Sequence, residues 1–171
     1  SVLDGQASVK ALVDKAIANG MRGIALTDHG NMFGIKELTD YVNKKNKDVD
    51  GEIKNLKKTI EELKSADAGD QEALSKAETA RKEAESKIFT PIIGCEMYVA
   101  DNDMPDRSNK KDIGRHLIVL AKNQHGYHNL IKLVSNAWTD GYYYHPRTDK
   151  KQLEKYHEDL IVCSACLGGE V

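Results

Sequence analysis

The sequence predicts an α/β fold interrupted by a helical hairpin. Three observations predict it. Short apolar runs alternate with amphipathic helical segments. The apolar runs end in, or carry, polar residues capable of chemistry. A stretch rich in Lys, Glu and Ala at about residues 44–87 breaks the alternation. Strands alternating with helices predict parallel strands in one sheet.

The elements follow in order. Val9, Leu12, Val13, Ala16 and Ile17 recur at helical spacing, with Ser8 as an N-cap and Gly20 at the C-terminal stop, so a helix is expected over 9–19. The apolar run from Gly23 to Thr27 ends in Asp28-His29-Gly30-Asn31 and reads as a buried strand. Another helix starts at Phe33 and is expected to reach Asn43. Beyond it, Ile53, Leu56, Ile60 and Leu63 step by three and four. After the break at residues 66–70, Leu74, Ala77, Arg81, Ala84 and Ile88 continue similar steps. Two helices in an antiparallel hairpin over 44–87 are expected, with an alanine-rich second seam that makes it a weak coiled coil. Its plain reading is a spacer or docking arm with no chemistry.

Pro91 to Ala100 reads as a strand, Asp101 to Gly114 as a polar loop, and His116 to Ala121 as a second buried strand. Tyr127 to Trp138 is expected to be a helix with Leu130, Ile131, Leu133 and Val134 on its apolar side. Leu160 to Ser164 is the last strand, followed by Ala165-Cys166-Leu167-Gly168-Gly169. No internal repeat is present.

Composition narrows the function. The 171 residues carry a formal net charge of −2, unlike the basic excess of a free-standing DNA binder. Nucleic acid would therefore be held mainly by other parts of a larger protein. No apolar run reaches the length of a membrane span, and no signal peptide opens the chain. The start at Ser1 without an initiator Met suggests an excised piece. Three cysteines, Cys95, Cys163 and Cys166, suit a reducing, cytoplasmic setting. There is no phosphate-binding glycine loop, no Gly-x-Gly-x-x-Gly and no Gly-x-Ser-x-Gly.

Metal-capable side chains collect at the strands. Asp28 and His29 follow one strand, Glu96 interrupts the next, His116 opens a third, and Cys166 lies past a fourth. Imidazole, carboxylate and thiolate together suit zinc, iron or manganese. An ion cluster there could activate water for phosphoester hydrolysis. Glu96 in an apolar strand is the most informative, because an unpaired buried carboxylate is costly. Its plain alternative is an ion pair with Arg22 or Arg115. Cys163-x-x-Cys166 closes a strand instead of opening a helix, against a redox role, and no second Cys or His pair matches a zinc knuckle. Cys163 reads as core. His125, His128, His145 and His157 read as surface residues.

Several of these segments together resemble one family. Ala25 to Gly34, containing Thr27-Asp28-His29-Gly30-Asn31, is similar to a motif of the PHP (polymerase and histidinol phosphatase) domain of bacterial DNA polymerase III alpha subunits. Pro91 to Ala100, His116 to Asn123, Gly126 to Leu130, Gly141 to Arg147 and Ser164 to Val171 resemble its later motifs in the same order. The resemblance covers nearly everything outside the hairpin. It implies a partial, distorted (β/α)7 barrel and metal ligands at Asp4, His29, Glu96, His116 and Cys166, with Asp28 as a supporting carboxylate. The family's His-x-His strand before Leu3-Asp4-Gly5 and its late Asp-x-His pair are absent, which implies an incomplete site, able to hold one ion but not to hydrolyse. The implied partners are the remainder of the polymerase subunit, DNA through it, and other replisome subunits. The polymerase active site would lie outside this sequence. Two rival readings are a free-standing PHP phosphoesterase and a purely structural scaffold.

Overall fold

The computed structural model describes residues 7–65 and 70–170, so Asp4 and the expected hairpin turn at 66–69 lie outside the described residues. The elements are α1 (Val9–Ala18), β1 (Gly23–Leu26), α2 (Ile35–Ser65), α3 (Gln71–Ser86), β2 (Thr90–Val99), β3 (Arg115–Ala121), α4 (Gln124–Thr139), β4 (Tyr142–Tyr143), β5 (His145–Thr148), α5 (Lys150–Lys155) and β6 (Leu160–Ser164). They cluster into two compact units. One contains residues 25–36 and 91–170; the other contains 9–24 and 37–90.

The first unit is built on β2. Side chains alternate across a strand, and here the alternation separates two kinds of residue. Cys95, Met97 and Val99 point into a core shared with Leu117 and Val119 of β3 and with Leu130, Leu133, Val134 and Ala137 of α4. Glu96 and Tyr98 fall on the opposite face, in register with Ile118 and His116. Burying a large apolar side chain stabilises by about 1.5–3 kcal/mol, so this cluster fixes which face of β2 is inside. On α4 the apolar residues recur at three- and four-residue steps, and Asn123 caps its start by accepting from the Gly126 N–H at 3.0 Å.

The sheet has six strands in the order β4-β5-β2-β3-β6, with β1 also pairing with β2. The all-parallel expectation fails. β2–β5 is parallel, but β2–β3, β3–β6 and β4–β5 are antiparallel. The reason lies between β2 and β3, where residues 100–114 form a loop with no helix. A parallel neighbour would need a crossover. The sequence reading also missed β4, β5 and α5, which are two to six residues long.

One buried cation organises the loop side of this unit. Arg147 is fully buried on β5, and its guanidinium donates to the carbonyls of Asp112 (2.8 Å), Asp106 (2.9 Å), Met104 (3.1 Å) and Gly141 (3.3 Å). It also pairs with the Asp112 carboxylate at 3.3 Å. A buried charge is tolerated only when paired and fully hydrogen-bonded, and these contacts meet that condition while pinning residues 104–112.

In the second unit, Gly20 ends α1 with φ +72, and the Met21 N–H reaches the Ala16 carbonyl at 3.0 Å, a glycine C-cap as expected. The helix starting near Phe33 does not stop at Asn43. α2 runs 31 residues without a break, so the first hairpin arm is its continuation. No proline interrupts it, and Gly51 is tolerated at a modest propensity cost. All the expected seam residues are buried or half-buried, including Ile53, Ile60 and Ala84. Lys64 on α2 pairs with Glu78 on α3 at 3.1 Å. Asp70 caps α3, accepting from the N–H groups of Glu72 and Ala73. Tyr41 and Lys45 of α2 both hold the Asp14 carboxylate of α1.

Asn46 is the buried polar anchor here. Its amide donates to the Phe89 carbonyl at 2.8 Å and accepts from the Phe89 N–H at 3.1 Å. Asn46→Ala leaves both backbone groups unsatisfied and is expected to cost about 1–3 kcal/mol in urea unfolding. Lys64→Ala, which removes only an exposed ion pair, is expected to stay within about 0.5 kcal/mol of the parent. Equal stability of the two variants would show that Asn46 is not an anchor.

Candidate metal centre

The site lies on the face of β2 that the core leaves open. His29 follows β1, and a parallel bridge to Glu96 fixes its backbone: the Glu96 N–H donates to the Asp28 carbonyl (3.0 Å) and the Gly30 N–H to the Glu96 carbonyl (2.8 Å). Gly30 has φ +63, and a Cβ there would lie 2.6 Å from Pro146 and 3.2 Å from Tyr98, so the turn after His29 needs glycine. A second bridge joins His116 to Gly169, and the Glu170 N–H donates to the His116 carbonyl at 3.0 Å. That contact folds the segment after β6 back over β3 and delivers Cys166.

The side chains meet in series. Glu96 is 13% exposed, and its two oxygens lie 2.8 Å from Nδ1 of His29 and 2.8 Å from Nδ1 of His116. Cys166 Sγ is 3.3 Å from the same His116 Nδ1. A ring nitrogen carries one proton, so the nearer carboxylate takes it. The ion-pair alternative for Glu96 is replaced by this double imidazole contact, since Arg115 pairs with Asp101 at 2.8 Å and approaches Glu170 at 3.8 Å. Tyr98 stands edge-on to the His116 ring at 5.1 Å and stacks on His145 at 4.4 Å. His145 is thus a wall of the site and not a surface residue. Burial, with smaller contributions from His116 and His29, holds its pKa below the usual imidazole value.

Asp28 serves the loop. Its carboxylate accepts from the Gly34 N–H at 3.1 Å, bracing residues 28–34. Tyr98 and His145 were not singled out in the sequence. Tyr98 was readable, because two residues beyond Glu96 on a strand means the same face. His145 gave no signal: its strand is four residues long and follows Tyr144, which has a left-handed backbone of φ 58.

Two imidazoles, a carboxylate and a thiol are donors of the right kind for zinc, iron or manganese. Among the described residues no three such side chains converge on one point in ligating geometry. With Nδ1 of both rings turned to Glu96, Nε2 is the nitrogen left on each ring for an ion, the pattern of a carboxylate orienting imidazole ligands.

The chain matches one family model over its whole length. The PHP domain model covers residues 1–171, and the chain belongs to that family. Its sequence is also similar to curated proteins named DNA polymerase III subunit alpha. The one from Borreliella burgdorferi is 37% identical over 172 residues, covering 99% of this chain and 11% of that protein. The Treponema pallidum protein is 36% identical over 174 residues and the Helicobacter pylori protein 34% over 172, each covering 100% of this chain and 11% of the relative. The chain therefore spans about a ninth of the length of these relatives. No helix among the described residues is long and apolar enough to cross a membrane.

The cysteines differ in chemistry. Cys95 is buried in the core, its thiol donates to the Asp28 carbonyl at 3.5 Å, and burial pushes its pKa up to about 12. Cys163, expected in the core, is exposed: among the described residues β6 pairs with β3 alone and lies at the sheet edge. Since the thiolate is the nucleophile, iodoacetamide at pH 8 is expected to modify Cys163 and Cys166 in the folded chain and Cys95 only after denaturation. Peptide mass mapping checks this, and rapid labelling of Cys95 would contradict the burial.

Proposed function

We propose that this chain is part of the N-terminal PHP domain of a bacterial DNA polymerase III alpha subunit. In that protein the six-stranded sheet would form part of a distorted (β/α)7 barrel, and the exposed edge residues Ile161 and Val162 support continuation of the sheet. His29, Glu96, His116 and Cys166, with Asp4 contributed by the segment before α1, hold a divalent ion (zinc, manganese or iron). Asp28 supports the His29 loop. The site serves phosphoester hydrolysis, including removal of nucleotides from a DNA 3′ end. Partners are the rest of the subunit, DNA through it, and other replisome subunits in the cytoplasm.

The observation that carries this reading is the Glu96 carboxylate receiving both imidazoles on the open face of the sheet. By accepting from Nδ1–H of both rings, Glu96 fixes their orientation and leaves Nε2 of each as the nitrogen available to an ion. His29, about half exposed, keeps its Nε2 open to an ion, while His116 is held between Glu96, Tyr98 and Cys166. A bound ion would supply Lewis acidity and lower the pKa of that water.

The test is a zinc or manganese titration of the chain by calorimetry. Glu96→Gln is expected to weaken binding roughly 10–100-fold, through loss of ring orientation, and the His29→Ala/His116→Ala double variant to weaken it further. Unchanged affinity in the double variant would contradict the assignment. In the full-length subunit, Glu96→Gln is expected to remove metal-dependent 3′ hydrolysis and leave primer extension intact.

A further inference from the structure

We propose that Trp138, Tyr142 and Arg107 form a stacking site for an unpaired nucleobase, and that its ligand is single-stranded nucleic acid. Trp138 lies in the last turn of α4 and Tyr142 opens β4, two residues after the helix C-cap. Their rings lie 5.6 Å apart at 26°, and the residues are 44% and 48% exposed. Large aromatic side chains normally contribute their area to a core or an interface, yet these two turn much of theirs to solvent side by side. The indole N–H of Trp138 donates to the Gly30 carbonyl at 2.8 Å. Its one polar atom is therefore satisfied, and the plane of the ring is fixed.

A cation stands beside the pair. Nη2 of exposed Arg107 donates to the Tyr142 carbonyl at 3.0 Å. The neighbouring Asp106 turns its carboxylate to other partners, accepting from the Ser108 N–H at 2.8 Å and the Asn102 amide at 3.3 Å. Parallel aromatic faces with an adjacent guanidinium match a base and its phosphate together. Duplex bases present no free face, so the site selects unpaired strands. A proline-rich peptide could also lie on aromatic rings, but it offers no anion to Arg107. Gly30 directly follows His29, so the platform adjoins the metal-capable cluster. As a substrate-binding surface the platform rests on the phosphoester reading of that cluster.

Trp138 is the only tryptophan in the chain, so its fluorescence reports the site directly. The experiment titrates the 171-residue chain in EDTA with oligodeoxythymidylate of about eight nucleotides, within the usual site size of such proteins. Saturable quenching is expected, with a matched duplex at least tenfold weaker. Tyr142→Ala is expected to weaken single-strand binding roughly tenfold or more, and Tyr142→Phe to hold it within about twofold, since stacking needs the ring and not the hydroxyl. Arg107→Ala should weaken binding and flatten its salt dependence. Circular dichroism checks that each variant is folded. Equal affinity for duplex, no effect of Tyr142→Ala in a folded variant, or quenching by a proline-rich peptide but not the oligonucleotide would overturn the proposal. Because binding is read without metal, quenching by the chain, alongside a full-length subunit that hydrolyses no phosphoester, would leave the platform standing and remove the phosphoester reading. Hydrolysis of a small phosphodiester without quenching would do the reverse.

Discussion

The alternation of side chains along β2 is the constraint on which the rest of the first unit depends. Cys95, Met97 and Val99 are drawn into the core with α4, and that leaves Glu96 and Tyr98 on the other face. A one-residue slip would bury Glu96 among apolar side chains and expose Met97, at a cost from both changes. The core therefore does more than stabilise the unit. It sets the position of the carboxylate that gathers His29 and His116, and the two parallel bridges at His29 and His116 carry that position into the backbone on either side.

Arg147 does comparable work for the surrounding loops. Its guanidinium satisfies four backbone carbonyls and one carboxylate, three of those carbonyls in residues 104–112, a stretch without regular structure that the buried Asp149 also holds by accepting from the Met104 N–H at 2.7 Å. β5, which supplies that arginine, also supplies His145 against Tyr98. Arg107 is carried by the same pinned loop, and its reach to Tyr142 follows from that anchoring.

Much of this was legible in the sequence, for physical reasons. Long apolar or periodic runs gave β2, β3, β6, α1 and α4 to within a few residues, and the positions of His29 after β1, Glu96 within β2 and His116 at the start of β3 made them candidates to meet. The alternation of element types points to parallel strands, but the helix-free connection at 100–114 permits only an antiparallel neighbour. Cys163 was misplaced because its apolar run reads the same in a central strand as at an edge. The length of α2 was underestimated because the change from apolar to charged composition near residue 44 alters its surroundings and not its backbone. Trp138 and Tyr142 could not be paired from sequence, since their contact depends on how the chain turns between α4 and β4.

The central claim is that the open face of β2 is where this PHP domain holds its ion. Anomalous diffraction from a crystal of the chain grown with zinc or manganese locates that ion directly. A peak is expected about 2.0–2.3 Å from nitrogen, oxygen or sulfur atoms of His29, Glu96, His116 or Cys166. A crystal whose only anomalous peaks lie elsewhere, such as among the exposed carboxylates of Asp101 and Asp103, with Glu96 still bonded to both imidazoles, would contradict it.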